Sequence, residues 1–286
     1  MSARRGWRRA RRWLAWRALV VSVLAGCASG GSGVRSSAPP ELAAHQQVKV
    51  RRVEVATSPE ERAALAQIPA LRSDRVEVAL AVPEHFDAAH AYPILLTQVT
   101  ADAYRPNIAE LGEYAPIALA RGYVVLTAQG IPWPRGTGGD TLLHRFVTAS
   151  AGLRWLTGEI PQSAAWPIVI AGFSGGAKIS QVLAVSLLLE RRPVAGVFLG
   201  GCNEDNSPVL LAQYPAVRER FSHIAFFLSA GNEDNIAPLS AVRAVAEGLQ
   251  RSGVERLRLS EHPGGHRLSP RDLDKGLGWL REQFVP

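Results

Sequence analysis

The chain has 286 residues, 47% of them hydrophobic and 20% charged, a balance that excludes both a disordered polymer and a protein of many membrane spans. Its formal net charge of +7 invites a nucleic-acid partner, yet residues 1–26 hold seven arginines and no acid. Without those seven, the basic residues equal the 25 acidic ones in number, so the excess belongs to the leader and no nucleic-acid surface is implied.

The leader runs from an arginine-rich start through the apolar stretch 18–26 to Cys27. That stretch is far shorter than the ~20 residues of a spanning helix and suits an export signal. Leu24-Ala25-Gly26-Cys27 resembles the bacterial lipoprotein signal, in which small residues precede a cysteine that is lipidated and becomes N-terminal after cleavage. The resemblance implies a signal peptide over 1–26 and a mature chain anchored to a membrane through lipid on Cys27. Ala28 rather than aspartate follows, which in such lipoproteins points to the periplasmic face of the outer membrane. Each buried CH2 of the acyl chains adds about 0.8 kcal/mol, so several chains hold a protein stably. Residues 28–40 are rich in Gly, Ser and Pro and bury too little apolar surface to order, so they read as a tether ahead of a domain over 41–286. Cys202 is then the remaining thiol, with no disulfide partner in the mature chain, and is expected to be a small buried hydrophobe.

Two strand-like stretches open the domain, 48–56 and 74–82, the second alternating Val76, Val78, Leu80 and Val82. Thereafter short apolar runs alternate with longer helical patterns. The strands 93–99, 123–128 and 167–172 precede helices over 107–120, 141–157 and 175–190. The strands 194–200, 224–230 and 255–261 precede helices over 208–221, 238–251 and 270–284. Several helices open on Pro or on an Asp, Asn or Ser cap. Such alternation predicts an α/β fold: a mostly parallel sheet of about eight strands with helices on both faces. Ligands bind such sheets at the carboxyl ends of strands, so functional residues are expected just after strands.

Gly172-Phe173-Ser174-Gly175-Gly176 fits G-x-S-x-G, directly after one apolar strand and directly before a helix. The chemistry needs a serine on a tight strand-to-helix turn, which small neighbours permit. The Gly175 N–H at the helix start would face a developing oxyanion. The same pentapeptide also suits a phosphate-binding glycine turn or plain strand–helix punctuation. A serine hydroxyl is a weak nucleophile and needs a general base, itself oriented by a third group. Gly231-Asn232-Glu233-Asp234 follows the penultimate strand and His262-Pro263-Gly264-Gly265-His266 the last, in the chain order serine, acid, histidine.

From about residue 76 to 286 the chain resembles the α/β-hydrolases, nearest to the dienelactone-hydrolase, carboxylesterase and prolyl-oligopeptidase-like branches. The resemblance implies Ser174 as nucleophile, Asp234 as acid and His266 as base. Glu233 and Asp205 remain rival acids, the latter because Asn203-Glu204-Asp205-Asn206 repeats the later acidic loop. His262 reads as structural and Lys178 as a helix-surface charge, and the other histidines offer no paired metal-ligand spacing. Many relatives carry His-Gly after the strand 93–99, where this chain has Thr97-Gln98-Val99-Thr100. The second oxyanion donor falls by position on the Val99 N–H, with Gln98 contributing its side chain to substrate binding. Trp133, between Pro132 and Pro134, either lines the cleft or packs its loop. The connection from Cys202 to Pro208 is too short for a large cap, so a shallow cleft is expected.

The function so implied is a lipid-anchored serine hydrolase that cleaves small carboxylic esters through an acyl-enzyme, with no metal or organic cofactor and no nucleic acid. A prolyl-oligopeptidase-like peptidase and a non-catalytic binding protein on the same scaffold are the alternatives. Nothing in the sequence speaks to oligomeric state.

Overall fold

The computed structural model describes residues 48–66, 74–98, 107–131 and 142–284. Eight strands form one open sheet: β1 (Val50–Ala56), β2 (Arg75–Ala81), β3 (Ile94–Gln98), β4 (Val124–Ile131), β5 (Ile168–Phe173), β6 (Val194–Gly200), β7 (Ala225–Gly231) and β8 (Arg256–His262). Their order across the sheet is β1-β2-β4-β3-β5-β6-β7-β8. β2 runs antiparallel to both β1 and β4, and every pair from β4 to β8 is parallel.

The strand sequences match their places. β3 and β7 are buried at every position, because helices cover both faces and leave no side for polar residues. The edge strands β1 and β8 instead carry charge: Arg51, Arg52 and Glu54 on one, Arg256, Arg258 and Glu261 on the other. Such charges discourage pairing with another chain.

Eight α-helices are described: α1 (Pro59–Leu65), α2 (Leu111–Ala120), α3 (Leu142–Glu159), α4 (Gly175–Leu189), α5 (Ser207–Gln213), α6 (Arg218–Ser222), α7 (Leu239–Arg251) and α8 (Pro270–Glu282). Helices α2 and α8 cover one face, where Tyr114, Ala118, Leu273 and Leu277 join Leu95, Val125, Val169, Phe198 and Phe227 in a single apolar cluster. Side chains alternate along a strand, so Leu126 and Ala128 of β4 point the other way. There they meet α3, close enough that a Cβ on Gly152 would stand 3.4 Å from Ala128 Cβ.

One expectation about helices is corrected, and one helix is added. The helix expected over 208–221 is broken into α5, a 3-10 turn at Pro215–Val217, and α6. Pro215 lacks the N–H that would continue the helix and pushes Tyr214 out of helical geometry. The added helix is α1, whose start is a capping box. Ser58 Oγ accepts from the Glu61 N–H at 3.2 Å while Glu61 Oε2 accepts from the Ser58 N–H at 2.7 Å. The connection from β6 to β7 holds only α5, the 3-10 turn and α6, so no large cap stands there.

Candidate active site

Ser174 sits between β5 and α4 with φ +54° and ψ −122°. A non-glycine residue in that region carries strain of order 1–3 kcal/mol and persists only where its surroundings fix it. They do so here from both sides. The Ser174 N–H donates to the Gly200 carbonyl at 2.8 Å, and the Ser174 carbonyl accepts from Ala177 N–H at 3.0 Å. The turn is too tight for a side chain at 172. A Cβ there would stand 2.3 Å from the Gly176 carbonyl carbon and oxygen. Gly175 is the first residue of α4, so its N–H lies in the turn where the helix supplies no carbonyl partner.

His266 lies in the loop between β8 and α8. Its Nε2 is 2.8 Å from Ser174 Oγ and its Nδ1 is 2.7 Å from Asp234 Oδ2. An ionised carboxylate can only accept, so Nδ1 carries the proton and the Ser174 hydroxyl donates to Nε2. Asp234 Oδ1 accepts in turn from the N–H groups of Ile236 and Ala237, both at 2.8 Å. The carboxylate side chain is 1% exposed and the imidazole 17%. One is sealed by its own loop, while the other keeps an edge toward solvent.

The ring is held by its surroundings as well as by its hydrogen bonds. It packs on Phe173 with centroids 4.7 Å apart. Gly201, at φ +55°, leaves the space: a Cβ there would stand 3.2 Å from His266 Cε1 and 2.9 Å from Phe173 Cε2. The loops carrying acid and base are joined along their backbones. Asn232 N–H donates to His262 O at 2.9 Å and Glu233 N–H to Gly264 O at 3.0 Å. Gly264 N–H returns a bond to Asn232 Oδ1 at 3.2 Å.

The other candidates lie elsewhere. Asp205 Oδ1 accepts from both the N–H and the hydroxyl of Ser207, at 2.9 and 2.6 Å, fixing the start of α5. Glu233 is exposed. His262 turns its Nδ1 to the Pro263 carbonyl at 3.0 Å, and Lys178 pairs with Glu204 at 3.0 Å. Cys202 is fully buried, and burial pushes its thiol up to about 11. Gln98 ends β3 beside Gly172 of β5; it is buried, and its Oε1 has no hydrogen-bond partner among the described residues. Val99, Trp133 and Cys27 lie outside the described residues. Among the described residues no group of three His, Cys, Asp or Glu side chains could hold a metal ion, and no helix is long and apolar enough to cross a membrane.

Residues that the sequence did not single out also shape the site. Gln181 of α4 donates to the Glu204 carbonyl at 2.8 Å and accepts from Asn206 N–H at 3.0 Å, ordering the loop after β6. A polar residue on an otherwise buried helix was the available signal.

An eight-stranded, mostly parallel sheet in this order, with a serine elbow after β5, is the α/β-hydrolase fold. No protein-family profile matches the sequence, and no curated protein does either. Solved structures do resemble it. A bacterial heroin esterase superposes with a TM-score of 0.58 at 15% identity, over 96% of this chain and 91% of that one. The Pyrococcus furiosus esterase Pf2001 gives 0.53 at 16% identity, over 86% and 98%. The esterase LipW from Mycobacterium marinum gives 0.54 at 15%, over 84% and 83%. At such identities the likeness is one of fold.

Proposed function

We propose that this protein is a serine hydrolase that cleaves carboxylic esters, held in the bacterial cell envelope by lipid on Cys27. One observation carries the catalytic part: the His266 imidazole bridges Ser174 Oγ and Asp234 Oδ2 through its two nitrogens. The similarity of the fold to three esterases supports an ester as substrate.

In this mechanism Ser174 Oγ attacks the ester carbonyl while its proton passes to His266 Nε2. Asp234 keeps the Nδ1 proton in place and stabilises the imidazolium without taking the proton itself. The negative charge moves to the carbonyl oxygen, where the N–H of Gly175 and that of Val99 donate, each such bond being worth about 3–4 kcal/mol. As the tetrahedral adduct collapses, the C–O bond to the alcohol breaks and the alkoxide takes the proton from His266 Nε2. Water then repeats the sequence on the acyl-enzyme, releasing the acid and restoring the serine. Gln98 and Trp133 are the proposed contacts to substrate.

The test uses the full chain in detergent with a fluorophosphonate probe and a short p-nitrophenyl ester. Covalent labelling and hydrolysis are expected, both lost in Ser174→Ala with the thermal melt unchanged. Activity persisting in that variant places the nucleophile elsewhere. A folded wild type that neither labels nor hydrolyses is the non-catalytic binding protein.

A further inference from the structure

Three acidic side chains are buried among the described residues, and each is held differently. Glu61 meets Arg154 at 2.9 Å and Asp234 meets His266. Asp272, 3% exposed, meets hydroxyls instead. Its Oδ2 accepts from Ser229 Oγ at 2.8 Å and its Oδ1 from Ser260 Oγ at 3.1 Å. Both serines are buried as well. The nearest cation in the chain of bonds is one step further out, where Lys275 Nζ donates to Ser260 Oγ at 3.0 Å. Removing a carboxylate from water is unfavourable, and an apolar side chain would fill such a place at less cost. Directional bonds, however, fix a position that apolar packing leaves free to slide.

The three partners lie on the elements that carry the site. Asp272 is in the first turn of α8, where the helix dipole favours a carboxylate, and α8 begins just after the loop that holds His266. Ser260 is in β8, which leads into that same loop. Ser229 is in β7, which leads into the Asp234 loop. The Ser229 carbonyl also accepts from the N–H of Gly201 at 2.8 Å, and Gly201 is the residue that flanks the His266 ring. The His266 loop is therefore clamped to the acid loop on its N-terminal side by Asn232 and Glu233. On its C-terminal side the corresponding clamp is Asp272.

We propose that Asp272 is a positioning residue for the hydrolysis assigned above: it fixes the His266 loop relative to β7 and β8 and so sets the Ser174–His266 distance. The inference rests on the proposed triad. Asp272 touches no reacting atom in this scheme. It acts through the placement of the base, for which a displacement near 1 Å can cost about 100-fold in rate.

The experiment compares Asp272→Ala, Asp272→Asn and the double variant Ser229→Ala/Ser260→Ala in the full chain in detergent. Each is assayed by fluorophosphonate labelling rate and by kcat and KM on p-nitrophenyl acetate, well below its own melting temperature. Asp272→Ala is expected to lower labelling rate and kcat together by about 30-fold, with KM within about twofold. Asp272→Asn keeps the shape, and each serine hydroxyl can donate or accept, so the rate should return to within about threefold of wild type. Should Asp272→Ala fail to fold, the double serine variant removes the same bonds and is expected to lose about tenfold in kcat. Wild-type kinetics in the folded Ala or double variant, with only a lower melt, overturns the proposal, as does an Asn variant as slow as Ala. A wild type that does not label overturns the triad itself, and this inference with it, so the two failures are distinguished.

Discussion

The side-chain amide of Asn203 donates to the backbone carbonyl of Ile236 at 2.9 Å, tying the loop after β6 to the loop after β7. The next bond in the chain is the important one, because the N–H of Ile236 donates to the buried Oδ1 of Asp234. Asn203 thus steadies the peptide segment that orients the acid, which in turn orients the imidazole. Asn203→Ala should lower kcat about three- to fivefold, the equivalent of one neutral hydrogen bond of about 1 kcal/mol. KM should hardly change, and the melting temperature should fall by no more than about 2–4 °C. Steady-state kinetics on a p-nitrophenyl ester checks this, and an unchanged kcat shows the acid loop to be rigid without its neighbour.

The two Asn-Glu-Asp-Asn loops allow a direct comparison of two aspartates. Asp234→Asn leaves the loop shape but presents an amide to His266 Nδ1, favouring the wrong tautomer. The loss expected is about 10^4-fold in kcat, the scale known for this change in Ser-His-Asp enzymes. Asp205→Asn should hold kcat within about threefold and cost about 1 kcal/mol of stability through its bonds to Ser207. Paired kinetics and urea melts measure both. A reversal of the two kinetic effects assigns the acid to the earlier loop.

Much of this architecture is written locally in the chain. Fully apolar strands such as Ile168–Phe173, each followed by a helical pattern, are enough to indicate a covered parallel sheet. Apolar periodicity continues across Tyr214 and hides the break at Pro215. Order along the chain also singles out Ser174 and His266, which the fold brings to 2.8 Å of one another. The identical tetrads, by contrast, cannot be ranked by their own residues. Their difference lies downstream, where Ser207 offers Asp205 a hydroxyl and Ile236-Ala237 offers Asp234 only backbone N–H groups. Asp272 was illegible because its partners Ser229 and Ser260 lie on two different strands, and nothing local marks a serine that will face a buried carboxylate.

The proposed anchor makes a prediction independent of the active site. Cells producing the full chain and fed an alkyne fatty acid should incorporate the label into this protein, and the protein should sediment with outer membranes. Cys27→Ser should abolish incorporation while leaving the leader uncleaved or the chain released. A Cys27→Ser chain that still carries label rejects Cys27 as the acceptor.

Cys202 gives a prediction about stability and pH. Its thiol is enclosed by the loop after β6, near Gln181 Nε2 at 3.3 Å and the Glu204 carbonyl at 3.4 Å. Burial raises its proton affinity from an ordinary value of 9.0 to about 11, so the folded protein holds the neutral thiol and resists alkylation, since only the thiolate is a good nucleophile. Iodoacetamide at pH 8 should leave the native chain unmodified and modify it once urea unfolds it. The sign of the pH effect follows from proton counting. Between pH 9 and 11 the unfolded chain has lost a proton that the folded chain keeps, so the folded state binds more protons and stability falls as pH rises. Below pH 9 both states hold the proton and this site contributes no slope. Cys202→Ala should therefore flatten the decline in urea midpoint between pH 9 and 11 relative to wild type, whatever its absolute stability. Parallel declines in the two proteins exclude Cys202 as the group responsible.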